Sequence, residues 1–69
     1  MFTIVRSDPR AQALEVWRDA EQLVSTRWDT FLKAGPVARR FSFASYVAAL
    51  DAEEAAAAEL ASLARRIAA

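Results

Sequence analysis

Apolar side chains recur between residues 9 and 34 at alternating three- and four-residue intervals. Leu14, Trp17, Val24, Trp28 and Phe31 form the series, and Glu21 occupies its one polar slot. Ala13, Val16, Ala20 and Leu23 widen the stripe. A second series follows in Tyr46, Leu50, Ala57, Leu60, Ala64 and Ile67, with Glu53 in the corresponding polar slot and Phe43, Val47 and Ala61 alongside. This rhythm places one apolar face on each of two α-helices, so the pattern predicts an all-α chain.

The punctuation between these series predicts their limits. Asp8 can accept hydrogen bonds from the free amides of a first helical turn, and Pro9 loses nothing at a position whose N–H has no helical partner. Helix 1 is expected over residues 9–34, ended by Gly35 in a left-handed conformation and by Pro36, which cannot donate the next backbone bond. Ser42 can cap a second helix, with Phe41 and Tyr46 placed to staple its first turn. The expected link is therefore 35–42 and helix 2 is 43–68. Arg39 and Arg40 favour this link, because cations in a first turn oppose the helix dipole; a start at Pro36 is the alternative.

At ~1.5 Å per residue the two helices match in length, and the short link folds them into an antiparallel hairpin. Equal rise on both arms predicts that Phe31 meets Tyr46, Trp28 meets Leu50, Val24 meets Glu53, Glu21 meets Ala57, Trp17 meets Leu60 and Leu14 meets Ala64. Residues 1–8, with the β-branched run Thr3-Ile4-Val5, are expected to form a short extended N-terminal arm.

Composition narrows the chemistry. The chain has 69 residues, enough for one small domain, with one Gly and two Pro, which suits helices. Nine basic residues balance nine acidic ones, so there is no positive excess of the kind that holds proteins on nucleic acid or anionic lipid. With no Cys and no His, the chain lacks a thiolate, a neutral-pH imidazole base and the Glu-x-x-His pairs of a di-iron bundle. Asp51, Glu53, Glu54 and Glu59 alone make a poor metal set. No catalytic, cofactor-binding or metal residue is therefore expected. Charges interrupt every apolar stretch, no signal-peptide pattern opens the chain, and a cytoplasmic location is the expectation.

The candidate residues are those of an interface or core: Leu14, Trp17, Val24, Trp28, Phe31, Tyr46, Leu50, Leu60 and Ile67. Trp17 and Trp28 lie about 20° apart around a helix and emerge from one face, as anchors for a partner or as core filler. Glu21 and Glu53 form a polar layer that fixes register, with an indole N–H or an Arg as partner, or else they sit at the seam's edge in water. Phe41, Phe43 and Tyr46 either cap the turn end or form an exposed patch. Arg39-Arg40 and Arg65-Arg66 read as solvated surface and as a dipole-compensating helix end rather than a nucleic-acid stripe.

The strings Leu14-Glu15-Val16-Trp17-Arg18-Asp19-Ala20-Glu21 and Phe43-Ala44-Ser45-Tyr46-Val47-Ala48-Ala49-Leu50-Asp51-Ala52-Glu53-Glu54 resemble small helical-hairpin proteins of high-GC Gram-positive bacteria. The resemblance is compositional and implies no activity. The WXG secretion-substrate hairpins are similar in architecture only, since the turn here reads Ala34-Gly35-Pro36-Val37 with no tryptophan. Two helices share one seam, while each stripe is wider than a seam can cover. The expectation is a homodimer making a four-helix bundle, with a hetero-partner adaptor, inhibitor or secretion-type hairpin as the alternative and a small nucleic-acid-binding regulator as the third.

Overall fold

A computed structural model describes the backbone of residues 8–68 and the side chains of residues 8–66. The arm expected over 1–8 lies, apart from Asp8, outside the described residues, as does the side chain of Ile67. Two helices, α1 (Pro9–Lys33) and α2 (Arg39–Ala68), form an all-α hairpin.

The start of α1 follows from its cap. Asp8 is extended, and one oxygen of its carboxylate accepts from the backbone N–H groups of Arg10 at 2.7 Å and Ala11 at 3.1 Å, while its carbonyl accepts from Gln12. Pro9 occupies the first helical position. The other end of α1 departs from expectation. Gly35 does not adopt a positive φ; instead Ala34 turns extended and its N–H donates to the Phe31 carbonyl at 3.1 Å. Pro36 disfavours helical backbone at Gly35, the residue before it, so the helix has to end ahead of Gly35, and it does so at the extended Ala34.

The link is also shorter than 35–42. The Ala38 N–H donates to the Gly35 carbonyl at 3.1 Å, closing a turn with Pro36 at its second position, and the Ser42 N–H donates to the Ala38 carbonyl at 2.9 Å. Helix α2 thus begins at Arg39, and neither residue 43 nor Pro36 opens it; Ser42 lies inside the first turns rather than capping them. Two arginines at a helix N-terminus cost a few tenths of a kcal/mol to about 1 kcal/mol each. The earlier start is offset by aromatic contacts worth ~0.5–1.5 kcal/mol apiece: Phe31 meets Phe43 at 5.5 Å between ring centroids, and Trp28 meets Tyr46 at 4.9 Å. The Arg39 guanidinium also lies 5.8 Å from the Phe31 ring centre.

The tighter turn slides the register. Phe31 meets Phe43 rather than Tyr46, Trp28 meets Tyr46 rather than Leu50, and Trp17 meets Glu53 rather than Leu60. The seam on α2 consequently runs through Ser42, Tyr46, Ala49, Glu53, Ala56, Leu60 and Leu63, all buried or half-buried. On α1 it runs through Ala13, Trp17, Ala20, Val24 and Phe31. Its most enclosed members are alanines: Ala49, Ala13 and Ala56. Small side chains let the two backbones approach closely, and a layer whose Cα trace is 12 Å in its thinnest direction has no interior for anything larger.

Candidate functional site

With the seam fixed, the helical repeat determines what each broad side of the hairpin carries. The chain reverses direction at the turn, so the same angular flank of α1 and α2 falls on the same side of the layer, at about 100° per residue. The Trp28–Tyr46 ring contact ties those two flanks together. On that side lie Trp28 and Leu32 of α1 with Phe43, Val47 and Leu50 of α2, all exposed and all in the half nearest the turn. Trp28 retains 40% of its surface and Leu32 57%. The reverse side carries Val16 and Leu23 on α1 and, on α2, Phe41 beside the small side chains of Ala48, Ala52 and Ala55. One side is therefore an apolar patch and the other a scatter.

Among the described residues no large side chain is fully buried, and no polar side chain is buried either. Leu14, Trp17, Val24, Phe31, Tyr46 and Leu60 are half-buried along or beside the seam. Leu50, expected on the seam, is exposed because the register places Ala49 there. Ala57, expected opposite Glu21, is half-buried, and the buried position belongs to its neighbour Ala56.

The polar layer divides. The Trp17 indole N–H donates to a Glu53 carboxylate oxygen at 2.8 Å across the seam, and Glu53 is half-buried. A charged acceptor makes this one of the stronger neutral-donor hydrogen bonds, and it is directional, so it pins how far α2 slides along α1. Glu21 has no such place; it is exposed on the apolar side. Ala20, its neighbour, takes the seam position.

Phe41 at the turn end is 75% exposed and does not cap the hairpin, whereas Phe43 and Tyr46 join the ring cluster with Trp28 and Phe31. The arginines at 65 and 66 are exposed, and Arg66 lies 3.9 Å from Glu59, a solvent-screened pair. A shallow depression on the outer face of α1 is lined by Ala11, Gln12, Leu14, Glu15, Arg18 and Asp19. Among the described residues no group of three metal-ligating side chains comes together, and no helix is long and apolar enough to cross a membrane.

No family model, curated protein or solved structure matches the chain. The apolar side is the candidate site. Leu32 belongs to it and was not part of the sequence-derived stripe, although its four-residue spacing from Trp28 is the signal that groups them. Phe43 and Val47, expected alongside the seam series, stand on the exposed flank, with Phe43 still in contact with the Phe31 ring.

Proposed function

We propose that the chain is a non-enzymatic protein–protein interaction module that associates with itself, two hairpins covering each other's apolar sides to make a four-helix bundle. The observation that supports this is the exposure of Trp28, Leu32, Phe43, Val47 and Leu50 on one side of a hairpin in which, among the described residues, Ala13, Ala49 and Ala56 alone are buried. Contiguous apolar surface of this kind is a feature of association sites, and two-fold homodimers are the commonest closed assembly. A formal net charge of zero adds no repulsion between copies. This reading needs no cofactor and assumes the cytoplasm as its compartment.

Light scattering coupled to size-exclusion chromatography tests it. The expected result is a helical particle of twice 7.6 kDa that dissociates on dilution. A compact monomer that melts cooperatively at high concentration overturns the proposal. A largely unfolded monomer overturns self-association in favour of a different polypeptide as partner. Trp28→Ala is expected to lower helicity and dimer content together, because that ring joins the turn cluster on one edge and the open side on the other.

A further inference from the structure

On the apolar side, α2 carries the series Arg40, Phe43, Val47, Leu50 and Glu54, spaced three, four, three and four residues apart. All five side chains are exposed. Val47 stands midway, seven residues from the cation at one end and seven from the carboxylate at the other, with a large apolar side chain on each side of it. Such a series is complementary to itself only when reversed.

From this we infer that the second copy docks turn-to-tail, with α2 lying antiparallel on its counterpart about a two-fold axis at Val47. The arrangement rests on the self-association proposed above and assigns its geometry. It brings Val47 onto its own mate, Phe43 onto the other copy's Leu50, and Arg40 onto the other copy's Glu54, twice over by symmetry. The alternative two-fold arrangement, with both turns at one end, gathers Arg39 and Arg40 of both copies in one place and both Glu54 carboxylates at another level; like charges brought together select against it. Arg18 and Glu21 also face this side on α1. In the reversed pairing Arg18 comes level with the other copy's Leu32, along which its aliphatic stem can lie, and Glu21 comes level with the far Trp28 and Asp29. Neither displaces Arg40 from Glu54.

Charge reversal and a distance measurement test this on the full chain. Arg40→Glu and Glu54→Arg are each expected to weaken the dimer about tenfold at low salt, and the double reversal to restore it to within about threefold, with helicity unchanged by circular dichroism. The chain has no cysteine, so Val37→Cys at the exposed turn carries a single spin label. A turn-to-tail dimer separates the two labels by about 30 Å, from ~1.5 Å of rise per residue on either side of Val47. A dimer whose labels lie within about 15 Å, or whose double reversal fails to recover binding, overturns this geometry and leaves self-association standing. A protein monomeric at every concentration overturns both.

Discussion

The two ends of the hairpin are closed by different means. Near the turn, four rings from Trp28, Phe31, Phe43 and Tyr46 pack at centroid distances of 4.9 to 6.3 Å, and they hold the helices together while leaving much of their own surface outside. Away from the turn, Ala13 and Ala56 allow close backbone approach, and the Trp17–Glu53 hydrogen bond adds direction. The difference separates two tasks. Small residues make a tight seam but offer little apolar area to anything else; large rings make a looser seam and leave a surface for a partner.

Adding bulk where the seam is tight is the strongest way to break the contrast. Ala56→Leu is expected to cost about 2 kcal/mol in urea denaturation, because Ala56 is buried on the seam and the added bulk has to displace its neighbours; the half-exposed Phe43, changed to Leu, is expected to cost less than about 1 kcal/mol of hairpin stability. Equal losses at the two sites would mean that the halves are packed alike. A smaller effect sharpens the distal half alone. Trp17→Phe keeps most of the ring but removes the donor to Glu53, with an expected loss of about 1 kcal/mol; a wild-type melting curve for this variant would remove the hydrogen bond from the account of register. The smallest effect lies at the turn. Gly35 has no positive φ, and a Cβ built on it meets nothing within 4 Å, so Gly35→Ala is expected to stabilise by about 0.5 kcal/mol through the unfolded chain. A loss there would show that the turn uses glycine's conformational freedom after all.

Much of this arrangement was legible in the residue pattern. Asp8-Pro9 marked the start of α1, the apolar rhythm marked two helices, and a link containing Gly35-Pro36 marked the reversal. The start of α2 was not legible, because local rules pull apart there: the dipole argues against Arg39 and Arg40 in a first turn, and Ser42 is the better cap. The structure follows tertiary contact instead, since beginning at Arg39 is what sets Phe43 against Phe31 and Tyr46 against Trp28. Ala49 and Ala56 were hard to find for a related reason. In an alanine-rich helix an alanine on the seam has the same sequence signal as an alanine anywhere, while the larger Leu50 fits the apolar rhythm and lies outside the seam. Glu53 was visible as an interruption of the stripe, but only the slide of the register showed which indole it would meet.

The two tryptophans also give the chain a built-in optical readout. Trp17, bonded to a carboxylate across the seam, reports through its fluorescence whether the helices have closed, and Trp28, 40% exposed beside a tyrosine ring, reports whether something has covered the side on which it stands. With one indole silenced at a time by substitution with phenylalanine, closure and coverage become separately visible by their emission maxima and quenching, without attaching any dye.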